Sequence, residues 1–143
     1  MRVILVFQEG LLWVRIFNRV NLLMAVLEKK VGLHLASSDA YVNIAGGMKM
    51  TEPAIDLGIC LAIASSMKDI VIPDKLMAFG EIGLSGEVRA VSMAGQRVQE
   101  AKKLGFDTVI LPEVCRSSVE KADGIKLVYV RQIQEAIRYI MSK

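Results

Sequence analysis

The stretch Gly46-Gly47-Met48-Lys49-Met50-Thr51-Glu52-Pro53-Ala54-Ile55-Asp56-Leu57 gathers the residues best able to do chemistry. A Gly-Gly bend leads to a hydroxyl residue able to cap a helix. A proline in the first turn and a long apolar run follow. Such a junction offers unpaired backbone N–H groups and the positive end of a helix dipole, where a nucleophile or an anion is favoured. The residue after Pro53 is Ala54, whose methyl group cannot attack. Lys49 is placed to meet a phosphate or carboxylate at this helix start, although a solvated loop lysine is the commoner explanation for such a residue. Glu52 and Asp56 fit the first turn as carboxylates that offset the dipole and bond free N–H groups, a structural role favoured over acid–base work.

A second group of candidates is basic. Arg89, Arg97, Lys102, Lys103 and Arg116 fall in or after a hairpin and an amphipathic helix. Brought together, they would neutralise phosphates, which gives affinity without sequence specificity. Left apart, they are ordinary solvated charges. His34 lies in an apolar stretch with no Asp and Ser partners in triad spacing, so it reads as a half-buried histidine. No GxxxxGK[ST] loop is present, and Gly80, Gly83 and Gly86 sit inside a hairpin, not at a helix start, which argues against nucleotide binding by this chain alone. Cys60 and Cys115 show no CxxC spacing and there is one histidine, which argues against a zinc site or a disulfide framework and fits a reducing cytoplasm.

These side chains need a folded scaffold, and the composition supplies one. The 143 residues are 53% hydrophobic and 23% charged, with a formal net charge of +3, as expected for one globular domain spanning residues 1–143. The mild basic excess permits DNA binding without announcing it. The most apolar run, Ala54 to Met67, contains Asp56 and is too short for a bilayer, and no export signal is read at the start.

The expected elements follow from periodicity and punctuation. Val3 to Phe7 and Leu11 to Phe17 read as two short strands. Asn18 caps a helix to about Lys30, with Leu22, Leu23, Val26 and Leu27 on its apolar face and Gly32 as its stop. Leu33 to Leu35 and Tyr41 to Ala45 read as a hairpin, and Pro53 to about Lys68 as a core helix. Leu76 to Ile82 and Glu87 to Val91 make a second hairpin through Gly83-Leu84-Ser85-Gly86, whose glycines suit positive φ. A helix over Met93 to Leu104 turns Val98, Ala101 and Leu104 inward and stops at Gly105. A strand over Thr108 to Leu111, a brief helix over residues 113–121, a strand over Lys126 to Val130 and a helix over Gln132 to Met141 complete an α/β (α+β) order with mixed strand directions.

Several segments carry a resemblance. They are Asn18-Arg19-Val20 with Leu22 to Lys29, Asp39-Ala40-Tyr41-Val42, Ala45-Gly46-Gly47, Glu52 to Leu57, Phe79 to Arg89, and Gln96 to Phe106. From residue 18 to the end they resemble the C-terminal Lon-like domain of the RadA (Sms) family of bacterial DNA repair proteins. Residues 1–17 fall outside the resemblance as atypical N-terminal strands. The resemblance implies the fold of the Lon protease C-terminal domain, of the ribosomal protein S5 domain 2-like kind. In Lon-type peptidases a serine follows a Gly-Pro pair at the helix start and a lysine opens the later amphipathic helix. Aligning the motifs puts Ala54 at the serine position and Gly95 at the lysine position, so both members of the dyad are vacant.

What the resemblance implies for function is a non-catalytic domain serving ring assembly, hexameric in the full protein, and contact with duplex or branched DNA alongside a recombinase. Lys49, Arg89, Arg97, Lys102 and Lys103 are its DNA-binding candidates. ATP, Mg and Zn are expected only in other parts of the parent protein, and no membrane partner is expected. The rival reading is an ATP-dependent Ser-Lys peptidase using Ser92, Ser85 or Ser65 with Lys49 or Arg97. Arginine stays protonated and is a poor base, which weighs against that rival. A third reading is a pure protein-interaction module.

Overall fold

Residues 19–33, 53–119 and 123–142 are described by the computed structural model. The expected strands before residue 18, the hairpin of residues 33–45 beyond Leu33, both expected caps at Asn18 and Thr51, His34 and Lys49 lie outside these residues.

Apolar residues three and four apart build the first helix, α1 (residues 19–31), which buries Val20, Leu23, Val26 and Leu27. Its last turn, Leu27–Val31, widens to a π-helix and stops at Gly32, where φ is 78°. There the N–H of Gly32 donates to Glu28 and that of Leu33 to Leu27, so late carbonyls of the helix are satisfied. Helix α2 opens with a 3-10 turn over Pro53–Ile55 and continues as α-helix over Asp56–Met67. A proline suits the opening because its missing N–H would have no partner there. The helix is apolar all round, as befits a core element, and buries Leu57, Ile59, Cys60, Leu61, Ile63 and Ala64.

Three parallel strands form the central sheet in the order β1 (Leu76–Ala78), β4 (Thr108–Pro112), β5 (Lys126–Val130). The register pairs Leu76 with Thr108 and Leu111 with Tyr129. A separate antiparallel ribbon joins β2 (Glu81–Ile82) to β3 (Val88–Arg89). Helix α3 (Ala94–Lys103) leads into β4, a 3-10 helix (Glu113–Ser118) follows it, and α4 (Ile133–Met141) closes the chain. Alternation along the strands builds three layers. Ala78, Ile110, Val128 and Val130 pack with α1, α2 and α4. Phe79, Val109, Leu111, Leu127 and Tyr129 pack with α3 on the other face. Both faces of the parallel sheet are thus covered, and the architecture is α/β with mixed strand directions.

Four expectations need correction. The single strand over Leu76 to Ile82 is two strands in two sheets, divided at Phe79-Gly80. Gly80 directs its N–H to the Ala54 carbonyl (2.9 Å) and its carbonyl to the Leu57 N–H (3.0 Å), so neither group enters a ladder. Its φ of 156° and the 2.9 Å that would separate an added Cβ from Val88 Cγ1 leave room only for glycine. In the ribbon's turn only Gly86 takes a positive φ, 80°. Met93 stands before α3 in a left-handed conformation (φ 60°) and is not its first turn. Leu104 is 65% exposed, because the helix ends at Lys103 and Phe106 packs inward in its place.

Candidate functional site

Ala54 sits in the 3-10 turn that opens α2, and its buried methyl group packs in the cluster that holds Phe79, Ala94 and Val98. Its carbonyl accepts the Gly80 N–H. The position aligned with a serine is therefore enclosed by apolar neighbours and tied to the point where the chain passes from β1 to β2.

Gly95 lies in the first turn of α3, beside Ala94 of that same cluster. A Cβ there would stand 3.0 Å from the backbone carbonyl oxygen of Ser118, closer than side chains normally approach. The glycine lets the helix start pack tightly on the end of the 3-10 helix. Outward from it opens a cavity of about 470 Å³ lined by Gly95, Gln96, Gln99, Glu100, Lys103 and Ser118. Ala54 and the neighbour of Gly95, Ala94, thus share one apolar cluster, and the cavity beside Gly95 is lined by amide and charged side chains.

Asp56, two residues beyond Ala54, is fully buried and takes the structural role, though not with the partners its sequence position suggests. Its carboxylate receives the guanidinium of Arg19, with Nε to Oδ1 at 2.8 Å and Nη2 to Oδ2, and the backbone N–H of Ile82 at 3.0 Å. Glu81 lies 3.8 Å from the same guanidinium. The hydrogen bond to Asp56 raises the Arg19 pKa above its ordinary value against the opposing effect of burial. One carboxylate therefore joins α1, α2 and the ribbon. Arg19 carries no motif of its own, and the only sequence signal for it is a charged residue at the start of an apolar helix. Four positions along α2, burial first and the Asp56 charge second push the Cys60 thiol well above its usual range.

The basic candidates have separate surroundings. Arg89 is exposed and 3.3 Å from Glu87. Arg97 donates Nε to the Ser92 carbonyl (2.9 Å) and lies 5.9 Å from the Phe79 ring centroid. Lys102 and Lys103 stand exposed in the last turn of α3, and Lys103 reaches the cavity. Arg116 forms a two-pronged pair with Glu113 at 2.8 and 2.9 Å and lies 3.9 Å from the Tyr129 ring centroid. Glu113 could be read as a partner from its i,i+3 spacing to Arg116, whereas Glu87 and Tyr129 had no such signal, since their pairing depends on the turn of the ribbon and the register of β5. Of the rival hydroxyls, Ser65 donates to the Ala62 carbonyl at 2.9 Å, while Ser85 and Ser92 are exposed in turns. Among the described residues no group of His, Cys, Asp and Glu is arranged to hold a metal ion, and no helix is long and apolar enough to cross a membrane.

Known proteins add a lineage to this geometry. A family model described as subunit ChlI of Mg-chelatase matches residues 16–114. The chain is similar to proteins named DNA repair protein RadA. Identity to that of Bacillus subtilis is 51% over 121 residues, covering 85% of this chain and 26% of the relative. With Halalkalibacterium halodurans it is 48% over 126 residues, covering 88% and 28%. With Streptococcus pneumoniae it is 44% over 126 residues, covering 88% and 30%. The chain spans between a quarter and a third of the length of these relatives. It therefore belongs to the family that this ChlI description covers, and its relatives named above are RadA proteins.

Proposed function

We propose that this chain is a non-catalytic Lon-like domain that serves ring assembly and duplex DNA contact in a cytoplasmic DNA repair protein, with Lys49, Arg89, Arg97, Lys102 and Lys103 as phosphate contacts. The observation that carries the non-catalytic half is the pair of filled vacancies. A buried methyl group at Ala54 and a glycine packed on Ser118 at Gly95 mean that the two aligned positions carry neither an attacking group nor a base. Covalent catalysis needs both. The DNA half rests on the names of the relatives and on exposed cations in and near α3. Phosphate neutralisation asks only that such charges be free to reach a backbone, and it needs no sequence-reading groove element.

The test is binding of the chain to a labelled duplex across a salt series. Affinity that falls steeply with salt and weakens on Arg89→Ala or Lys102→Ala supports the reading. Indifference to both removes the DNA contact and leaves ring assembly, which sedimentation of the chain measures separately. Turnover of an unstructured peptide by the pure chain would restore the peptidase reading.

A further inference from the structure

Arg116 is an exposed charge restrained by two neighbours, and the proposal above does not use it. Glu113 and Arg116 are three apart on the 3-10 helix that follows β4, where residues i and i+3 lie over one another. The Glu113 carboxylate accepts Nε of Arg116 on one oxygen at 2.8 Å and Nη2 on the other at 2.9 Å. Register then adds a second restraint. Tyr129 pairs with Leu111 in the neighbouring strand, so β5 carries its ring to the base of the 3-10 helix, with its centroid 3.9 Å from the guanidinium carbon.

An exposed arginine ordinarily samples many rotamers, and its strongest recognition uses the fork of N–H groups. Here the Nε edge of the fork is spent on Glu113 and one face of the plane lies on Tyr129. The side chain is nevertheless 60% exposed. What the guanidinium still offers is its open face, flat and held in place. Beside it are the Glu113 carboxylate and one further cation. Exposed Arg131 lies two residues past Tyr129, close enough to help Arg116 hold the Glu113 carboxyl below its usual range, although the hydrogen bond from Arg116 does most of this.

We propose that the Glu113–Arg116–Tyr129 stack is a landing platform for an unpaired nucleobase of a single strand, with Arg131 meeting the adjoining phosphate. A free base has a π-face that stacks on an arginine plane whatever its identity. A base inside a duplex has both faces covered by its neighbours and gains nothing here. The platform rests on the reading that the chain contacts DNA, but it names a different surface and a different form of the nucleic acid.

The test is titration of the chain into a single-stranded oligothymidylate carrying one 2-aminopurine, whose fluorescence falls on stacking, with a free 2-aminopurine mononucleotide in parallel. Quenching of the strand is expected, and Arg116→Lys, which keeps the charge and loses the plane, is expected to weaken binding about tenfold. Tyr129→Leu gives a comparable loss, read alongside its thermal melt to confirm folding. Quenching of the mononucleotide as well keeps the stacking site and assigns it to free nucleotides too. Absence of quenching, equal affinity for a strand of abasic sites, or no change on Arg116→Lys overturns the platform. Duplex binding in the salt series is unaffected by Arg116→Lys, so failure of the platform and failure of duplex contact are read from different curves.

Discussion

The carboxylate of Asp56, with no exposed surface, is held by the guanidinium of Arg19 across 37 positions of sequence. Removing one partner of such a pair leaves a buried charge without compensation, which costs more than the pair itself contributes. Arg19→Met is therefore expected to lower unfolding free energy by about 3 kcal/mol. Arg19→Met combined with Asp56→Leu is expected to recover part of that loss. Urea denaturation of the two single variants and the double variant measures both effects as a cycle.

Gly80 sets the boundary between the two sheets, and a methyl group there meets Val88 Cγ1 at 2.9 Å and Pro112 Cγ at 3.3 Å. With the positive φ added, Gly80→Ala is expected to destabilise by about 1–3 kcal/mol. A thermal melt shows the loss, and amide exchange is expected to show it first at Leu57 and Phe79.

Placing a serine and a lysine at the two aligned positions is not expected to create a peptidase. Ala54→Ser places a hydroxyl among apolar neighbours, and Gly95→Lys forces a Cβ to 3.0 Å from the Ser118 carbonyl oxygen. The double variant is expected to lose about 1–3 kcal/mol of stability and to leave an unstructured peptide uncut. Denaturation and a peptide-release assay check the two halves.

Two groups give opposite pH dependences. Glu113 is lowered on folding, chiefly by its bond from Arg116. Its contribution is complete above the ordinary carboxylate range and is lost as pH falls through the lowered value. Arg116→Ala is expected to return the carboxyl to its usual range in a carbon-detected NMR titration. Cys60 is raised, chiefly by burial. Its contribution is complete below the usual thiol range and is lost as pH rises beyond it, since only the unfolded chain ionises there. Cys60→Ala is expected to flatten the alkaline fall in stability seen by circular dichroism.

For duplex binding, each phosphate contact removed is expected to reduce the slope of log affinity against log salt by about 0.9. Lys102→Ala and Lys103→Ala serve as the cleanest probes, because both side chains are exposed in the last turn of α3. Arg89→Ala is expected to give a smaller change, since Glu87 already balances that charge at 3.3 Å.

Elements with strong local signals were legible. Gly32 and Gly105 stop α1 and α3 where the sequence places them, and Lys126–Val130 is a strand over the expected residues. Gly80 was not legible as a boundary, since its role depends on Ala54 and Leu57, more than twenty positions away. The assignment of Ala54 and Gly95 to dyad positions rests on motif order alone. The partners of Asp56 could not, because a carboxylate at a helix start reads as bonding its own helix, and only packing brings Arg19 and Ile82 to it. Arg116 was visible as a charge and invisible as a stacked plane, which needs the β4–β5 register.

The three-way tie at Asp56 also bears on how the chain finds its fold. Docking of α1 and of the ribbon both wait on closing loops, of 37 and 26 positions respectively, and an open chain keeps the carboxylate hydrated at no cost. A compact state that seats α1 one turn out of place would enclose the charge without its guanidinium and be penalised by several kcal/mol. Mispacked forms are thereby discouraged before they become traps. The ion pair therefore bears on which seating of α1 is stable as much as on how stable the native one is.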